Sequence, residues 1–361
     1  MDLDYLPPRP RRPHAGIGCL GAGFIMRDCH LVAYRNAGFR PVAIASHPGG
    51  RLRAEETARL RGVPRVCDSV EDLLADPEVE ILDIAVPPHA LLDVIRRAAA
   101  APRPPRGILA QKPLGMSYIE ALEIVERCEQ AGVTLAVNQN MRFDQSARAL
   151  RSLLGRGDLG EPVLATIEMR AIPHWMPWQR DYGWLTLRIM SIHHLDCFRF
   201  WFGDPQRVYA SVRTDPRTAF PHTDGICLYI LEYANGLRCS AWDDVWTGPA
   251  REGAEGDIYI KWRVEGTEGL ACGTIGWPSY PARAPSTLRY STRRQPGQWI
   301  EPRWDQVWFP DAFEGTMAQL LVAVENGAEP EISGRDNLKT MALVDAAYRS
   351  AAEHRAVEVT P

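Results

Sequence analysis

The chain has 361 residues, which is more than one small domain needs and favours two domains. Its hydrophobic fraction of 45% and charged fraction of 24% are typical of a globular protein and exclude disordered and fibrous classes. The formal net charge is −4. This argues against nucleic acid or an anionic membrane as a partner, because both bind basic surfaces.

Other features of the composition favour a soluble cytoplasmic protein. No run approaches the roughly 18 apolar residues that a membrane-spanning helix needs. Residues 1–14 form a Pro/Arg-rich extension with no apolar segment behind it, so we expect no secretion signal. The eight cysteines include no CxxC pair, so we expect neither a disulfide framework nor a metal site.

Lysine is rare in this sequence. Three of the 41 basic residues are lysines, at positions 112, 261 and 339, and the other 38 are arginines. A retained lysine is therefore a candidate for proton transfer near neutral pH, which arginine cannot perform.

The first half of the chain alternates apolar strands with helices. Strands are predicted at 16–20, 41–45, 81–86, 107–110 and 134–137. Helices are predicted at about 25–37, 52–61, 72–75, 90–100 and 117–131, the last with a capping box formed by Ser117 and Glu120. This order is typical of βαβ units, so we predict an α/β Rossmann domain with a parallel sheet over residues 15–142.

The second half has a different pattern, in which strands predominate. Strands are predicted at 162–171, 207–213, 225–233, 237–245, 257–264 and 286–292, and helices at 144–155, 185–202, 311–326 and 336–353. Several of these strands alternate apolar and polar residues, which predicts an antiparallel sheet with one solvated face. We therefore expect an α+β domain with an open, mostly antiparallel sheet over residues 143–361, whose C-terminal helix could pack back on the Rossmann domain.

A glycine turn lies where the first strand meets the first helix. Gly21 would form the tight turn, and Gly23 would let the backbone approach a pyrophosphate at the helix N-terminus. Phe24 and Ile25 complete the candidate contacts of this turn, and Met26 stands where the fingerprint has its third glycine. The position in a strand–turn–helix unit predicts dinucleotide binding.

The end of the second strand bears on the form of the cofactor. A carboxylate there would hold the ribose hydroxyls of NAD, but the strand is followed by Ser46 and His47, with Arg51 behind them. Two alternatives stay open: NADP with His47 or an arginine on the 2′-phosphate, or NAD held by Ser46 and the backbone.

Several ordered motifs resemble one known family. Gln111-Lys112-Pro113-Leu114-Gly115 follows a strand at the carboxyl edge of the predicted sheet, where ligands of such folds bind. With this motif, the chain resembles the Gfo/Idh/MocA family (glucose–fructose oxidoreductase, inositol dehydrogenase and relatives). The other matching stretches, in family order, are GAGFI (21–25), VPPH (86–89), GDLGEPV (157–163), HHLD (193–196), VEGTEG (264–269) and SGRDNL (333–338).

The resemblance implies nicotinamide-dependent oxidation or reduction of a sugar or cyclitol hydroxyl. It implies that Lys112 contacts the reacting hydroxyl, that His193 is the base, and that Asp196 ends the histidine motif. It further implies an open sheet that forms homodimer or homotetramer contacts, and the family majority favours NAD over NADP. Further cofactor-binding candidates are Pro87, His89, Gln111, Pro113 and Asn140.

The chain departs from the family pattern at three positions, and two of these changes remove a negative charge. Gln111 replaces the family's glutamate, Ile189 replaces the aspartate that begins the histidine motif, and Ser191 replaces its glycine. With fewer anionic neighbours Lys112 should have a lower pKa, and Arg188 would act in the same direction.

The candidate substrate-binding residues are rich in aromatic and arginine side chains. Aromatic rings stack on the C–H face of a pyranose, and Arg reads hydroxyl or anionic groups; the alternative roles are a hydrophobic cap, sheet packing or a subunit contact. The candidates are Trp175, Trp178, Arg180, Arg188, His194, Asp196 and Trp242.

These residues support three functional hypotheses. The first is an NAD(P)-dependent oxidoreductase that takes hydride from a ring hydroxyl of a pyranose sugar, glycoside or sugar derivative, with Lys112 and His193 in proton transfer. The second is oxidoreductive glycoside cleavage, in which a 3-keto intermediate allows elimination of the aglycone and the cofactor is recycled. The third is a non-catalytic nucleotide-binding subunit.

Overall fold

The computed structural model describes residues 3–170, 177–245, 258–276 and 283–360. The chain divides into two compact units. The first unit comprises Leu6–Phe143 and Phe309–Met341, and the second comprises Met1–Tyr5, Asp144–Trp308 and Ala342–Pro361. Each unit has its own β-sheet.

The sheet of the first unit is parallel, with six strands among the described residues. They are β1 (Gly16–Leu20), β2 (Arg40–Ala45), β3 (Arg65–Val66), β4 (Ile81–Ile84), β5 (Gly107–Ala110) and β6 (Thr134–Val137). Their order is β3-β2-β1-β4-β5-β6, and every neighbouring pair is parallel. The strand order reverses between β1 and β4, and in such sheets ligands bind outside the carboxyl ends of the strands at this point.

The sheet of the second unit is open and mostly antiparallel. Its described strands are β7 (Pro162–Arg170), β8 (Arg207–Arg213), β9 (Ile226–Glu232), β10 (Arg238–Asp244), β11 (Tyr259–Gly266), β12 (Gly269–Thr274), β13 (Thr287–Thr292) and β14 (Val357–Glu358). Their order is β13-β12-β11-β7-β10-β9-β8-β14, and the β7–β10 pair is parallel. Buried and exposed positions alternate along these strands, so one face lies in the core and the other is solvated.

The helices follow the predicted alternation in the first unit and cover the sheet in the second. They are α1 (Leu31–Ala37), α2 (Arg51–Arg61), α3 (Val70–Ala75), α4 (Pro88–Ala99), α5 (Tyr118–Gln130), α6 (Gln145–Gly155), α7 (Pro177–Tyr182), α8 (Ser191–Phe202), α9 (Ala312–Asn326) and α10 (Gly334–Glu353). None of the described helices combines the length and the apolar character that a membrane crossing requires.

Local signals explain several helix starts. The side chain of Ser117 accepts the N–H of Glu120, which confirms the predicted cap of α5. The carboxylate of Asp144 accepts two N–H groups in the first turn of α6 in the same way. In the first unit α9 packs closely on β5, because a Cβ at Gly107 would lie only 2.8 Å from Val324.

The fold class predicted from the sequence is confirmed, with local differences. A π-helical turn over Ile25–His30 precedes α1, where one continuous helix was expected. The strands β3, β12 and β14 were not predicted. Residues 177–182 form α7, where no helix was predicted, and α8 begins at Ser191 rather than near residue 185.

Candidate active site

The glycine turn joins β1 to the π-helical turn of the first unit. Gly21 has a φ of +104°, and a Cβ there would overlap the carbonyl oxygen of Ala85, so the position requires glycine. At Gly23, apart from its chain neighbours, no atom of the described residues lies within 4 Å of the place a Cβ would take, so the backbone is open to a ligand. Phe24 and Ile25 are half-buried at the helix start. This geometry fits a dinucleotide pyrophosphate, which helix N-terminal N–H groups bind.

The end of β2 carries polar groups but no carboxylate. Ser46 is half-buried and His47 is exposed. The guanidinium of Arg51 donates to Glu55 at 2.8 Å and forms an ion pair with Asp68, so its charge is partly neutralised. These residues are compatible with the ribose hydroxyls of NAD and with the 2′-phosphate of NADP.

Lys112 lies at the carboxyl edge of the same sheet, just after β5. The N–H of Gln111 donates to the carbonyl of Ile84 at 3.0 Å, and the side-chain oxygen of Gln111 accepts the N–H of Lys112 at 2.9 Å. The peptide bond between Lys112 and Pro113 is cis. Burial lowers the pKa of the Lys112 amine from 10.5 to about 7. Near neutral pH this amine can therefore both give and take a proton.

The other cofactor candidates of the first unit lie at neighbouring strand ends. Pro87 follows β4 and precedes α4, and His89 is exposed in the first turn of that helix. Asn140 follows β6 and is 3% exposed. The strands that precede Gly21 and Lys112 are two spacings apart in the sheet, about 10 Å. The fold thus brings these residues to one edge of the sheet.

The sequence interpretation missed a buried polar cluster in the first unit. Asp83 on β4 accepts hydrogen bonds at 2.7 Å from the Nδ1 of His30 and the hydroxyl of Tyr34. Asn138, after β6, lies 2.9 Å from the Nε2 of His30. All but Asn138 come from predicted strands or helices, but only the folded structure brings the four together. They link the helix after the glycine turn to the loop after β6.

In the second unit, α8 carries both histidines of the HHLD motif. The ring of His193 packs edge-on against Trp308, with centroids 5.7 Å apart, and His193 is 2% exposed. The neighbouring His194 points to the sheet, where its Nδ1 lies 2.9 Å from a carboxylate oxygen of Asp243 on β10. The hydroxyl of Ser191 donates to the other oxygen of Asp243. Asp243 was not predicted as a site residue, and no local motif marks it.

A second buried carboxylate holds the turn before α8. Asp224 accepts the N–H groups of residues 185–187 at 2.7 to 3.2 Å and the hydroxyl of Tyr348 at 2.8 Å. The hydroxyl of Thr186 donates to the carbonyl of Asp224 at 2.6 Å. Burial raises the pKa of Asp224, and these hydrogen bonds act in the opposite direction. The turn explains why α8 begins at Ser191.

The remaining polar candidates near α8 are mostly buried. Arg188 is 8% exposed; its guanidinium pairs with Asp345 and lies over the rings of Trp184 and Tyr348. Asp196 is 1% exposed on the same helix. The guanidinium of Arg188 is thus already engaged by a carboxylate and two aromatic rings.

The aromatic substrate candidates are distributed over α7 and β10. Trp178 is half-buried on α7, and Arg180 is exposed on the same helix with its guanidinium 5.8 Å from the ring centroid of Phe220. Trp242 is half-buried on β10. Trp175 lies outside the described residues. Across the described part of the chain, no group of three or more His, Cys, Asp or Glu side chains is placed to hold a metal ion.

The fold and the glycine turn define a dinucleotide-binding oxidoreductase, and its cofactor is NAD or NADP. Residues 15–139 match the family model described as an oxidoreductase family with an NAD-binding Rossmann fold. Residues 147–272 match the model of the GFO/IDH/MocA C-terminal domain. The chain therefore belongs to the Gfo/Idh/MocA family, which confirms the resemblance found in its motifs.

Curated relatives cover nearly the whole chain. D-apiose dehydrogenase of Paraburkholderia graminis is 28% identical over 347 residues, which are 94% of this chain and 88% of that protein. The 1,5-anhydro-D-fructose reductase of Ensifer adhaerens is 26% identical over 349 residues, 95% of this chain and 98% of that protein.

The fold also matches solved structures. An oxidoreductase from Agrobacterium radiobacter, in complex with NAD+, L-tartaric acid and magnesium, has a TM-score of 0.78 and 24% identity. The match covers 96% of this chain and 98% of that chain. At this identity the likeness concerns the fold.

Proposed function

We propose that this protein oxidises a ring hydroxyl of a pyranose sugar, a glycoside or a related sugar derivative with NAD or NADP. The observation that carries the proposal is Lys112: an amine with a pKa of about 7, at the carboxyl edge of a Rossmann sheet two strands from the glycine turn. An amine poised near neutral pH at the ligand-binding edge is typical of a general acid–base group.

The residues of the first unit fit the cofactor. The backbone at Gly21 and Gly23 would hold the pyrophosphate, and Ser46 and His47 would face the adenosine ribose. Phe24, Ile25, Arg51, Pro87, His89, Gln111, Pro113 and Asn140 are the further proposed contacts. When bound, the nicotinamide ring supplies the hydride acceptor for the reaction.

Lys112 and His193 are the two groups proposed for proton transfer. A neutral Lys112 amine accepts the proton of the reacting hydroxyl, and the ammonium form donates a hydrogen bond that holds the hydroxyl oxygen. His193 is proposed as the second base, because a neutral imidazole has a ring nitrogen that can accept a proton. Each group would contribute by orientation as well as by proton transfer, since Lys112 closely follows β5 and His193 is on α8.

The proposed sugar class rests on the relatives and on the aromatic candidates. The two curated relatives described above are named for sugar substrates. Trp178 and Trp242 offer half-buried rings, and Arg180 offers an exposed guanidinium. Such groups suit the alternating C–H and hydroxyl surface of a sugar ring.

We also propose that the protein is a homo-oligomer that buries the solvated face of the second sheet. Leu164, Tyr209, Leu228 and Ile230 are all at least 40% exposed on this face. Tyr209 and Ile230 are register partners on β8 and β9, so the apolar side chains are adjacent. An apolar patch on a sheet face is typical of a subunit contact. Light scattering tests this: Ile230→Asp should dissociate the oligomer, and a monomeric wild-type protein would contradict it.

A substrate screen tests the proposed reaction. The protein is incubated with NAD+ or NADP+ and a panel of pyranoses and aryl glycosides, while reduced nicotinamide and released aglycone are both measured. We expect reduced nicotinamide with at least one sugar, and a loss of about 10²-fold or more in kcat for His193→Asn. Aglycone release without reduced nicotinamide would instead indicate oxidoreductive glycoside cleavage. Cofactor binding without turnover would indicate a non-catalytic subunit.

A further inference from the structure

The start of α8 is held from the sheet side by a buried carboxylate. Asp243 accepts the hydroxyl of Ser191, the first residue of α8, and the Nδ1–H of His194, three residues later. The side chains of Asp243 and His194 are both 0% exposed. Both oxygens of the carboxylate are therefore used to bind one turn of one helix.

The orientation of His194 depends on this contact. Within the described residues its Nε2 has no hydrogen-bond partner, so the bond to Asp243 is the polar contact that orients the ring. Cys227, on the neighbouring strand β9, is opposite Asp243 in register. Burial and the charge of Asp243 raise the pKa of both Cys227 and Tyr229, so these two neighbours stay neutral. They therefore add no further negative charge beside the carboxylate.

A fully buried carboxylate is costly unless hydrogen bonds and charge compensate it. The fold nevertheless places one under the first turn of α8, where it also lies close to the positive end of the helix dipole. We therefore relate the function of Asp243 to this helix turn, because both hydrogen bonds of its carboxylate are made with residues of the turn.

These two bonds connect the rotation of α8 to the sheet. Successive residues of a helix are about 100° apart, so Ser191 and His194, three positions apart, share the face towards the sheet. His193 lies about 100° away from His194 and contacts Trp308 instead. A rotation that moved the His193 ring would break a charge-assisted hydrogen bond in a buried site.

The turn before the helix is fixed independently. The N–H groups of Ile189, Met190 and Ser191 all donate to the carbonyl of Thr186 at 2.9 Å. Thr186 is itself held by Asp224 through its N–H and its hydroxyl. The bonds at Thr186 therefore anchor α8 against movement along its axis, and the bonds to Asp243 anchor it against rotation about that axis.

We propose that Asp243 is a positioning residue for the oxidoreductase reaction, which through Ser191 and His194 sets the rotation of α8 and thereby the place of His193. The inference rests on the proposed role of His193 as a base. Displacing a reacting group by about 1 Å can reduce a rate by about 10²-fold. Loosening this network should therefore lower kcat without weakening cofactor binding, because the glycine turn belongs to the other unit.

The experiment compares isosteric variants in the full-length protein. Ser191→Ala removes one hydroxyl, Ser191→Thr retains it, and Asp243→Asn keeps the shape but removes the charge. The matched control is Asp144→Asn, another fully buried carboxylate of the same unit, which caps α6. For each variant we would measure Tm, the Kd of NADH by fluorescence, and kcat and KM for the sugar found in the screen.

We expect kcat to fall by about 10- to 10²-fold in Ser191→Ala and Asp243→Asn, with the Kd of NADH unchanged. Ser191→Thr should restore kcat, and Asp144→Asn should lower Tm with little change in kcat. If Ser191→Ala and Asp243→Asn lower Tm but keep kcat, as the control does, the positioning role is wrong. Should Asp243→Asn fail to fold, the Ser191→Ala and Ser191→Thr pair decides. Full activity of His193→Asn would refute the proposed function instead.

Discussion

Replacing Lys112 by methionine should stabilise the protein at low pH while abolishing its activity. Burial lowers the pKa of the amine from 10.5 to about 7, so the folded state binds this proton less tightly than the unfolded state. At about 1.4 kcal/mol per pKa unit, this difference corresponds to a cost of about 5 kcal/mol for burying the ammonium. Below pH 7 the folded protein bears the full cost, and an uncharged methionine side chain at this position would remove it.

The pH dependence follows from the same two pKa values. Between about 7 and 10.5 the unfolded chain is protonated and the folded amine is neutral, so wild-type stability rises with pH. The stability advantage of Lys112→Met should therefore shrink by about 1.4 kcal/mol per pH unit over this window. Above pH 10.5 the amine is neutral in both states and the advantage should vanish.

Urea denaturation of the cofactor-free protein at several pH values from 6 to above 10 measures this difference. Lys261→Met is the matched control, because Lys261 is exposed and lies over the ring of Tyr259; its effect should not vary with pH in this way. The kcat of Lys112→Met should fall by about 10²- to 10⁴-fold. A difference in stability that is constant with pH, or destabilisation at pH 6, would refute the desolvation argument. Near-normal turnover would refute the catalytic role.

Three further substitutions test the first unit. Gly21→Ala should lower the free energy of unfolding, measured by urea denaturation, by about 1–3 kcal/mol, because the positive φ and the carbonyl of Ala85 exclude a side chain. The same variant should bind NADH more weakly in a fluorescence titration. A variant as stable as wild type would contradict this. Ser46→Asp should raise the ratio of kcat/KM for NAD to kcat/KM for NADP by about tenfold, since a carboxylate after β2 repels a 2′-phosphate. An unchanged ratio would mean that the ribose binds at another place. Gly315→Ala on α9 would clash with the ring of Phe143 and should lower stability by about 1–3 kcal/mol, measured as a lower Tm; an unchanged Tm would mean that the ring moves at no cost.

The parallel sheet could be predicted because its strands are continuous apolar runs with clear boundaries. Gly107–Ala110 and Thr134–Val137 were predicted with the bounds that the structure has. Arg65–Val66 was missed, because two residues carry no periodic pattern. Gly269–Thr274 was missed for a different reason: its small residues and glycines have little strand propensity, and its pairing with β11 and β13 makes it a strand.

Residues of the candidate site could be predicted from the sequence only where a chemically suitable residue type stands at the end of a predicted strand. Gly21 and Lys112 meet this condition, and the sequence places both at the edge of the sheet. The pKa of Lys112 depends on burial, which the sequence does not specify. Asp224, just before β9, bonds to the turn that precedes α8, and Asp243, on β10, bonds to α8 itself. Both lie about 40 to 50 positions after their partners, so only the folded chain reveals them. The predicted start of α8 was wrong for this reason.

The protonation chemistry of position 112 explains why a lysine, rather than an arginine, suits this position. An arginine there would stay ionised at any pH the protein tolerates, so burying it would impose the desolvation cost without providing a proton acceptor. The side chain of Gln111 accepts the backbone N–H of Lys112, and a glutamate at this position would add a negative charge near residue 112, which would raise the pKa of the lysine. In a chain with 38 arginines, the lysine at position 112 fits the proposed proton transfer near pH 7, which an arginine could not perform.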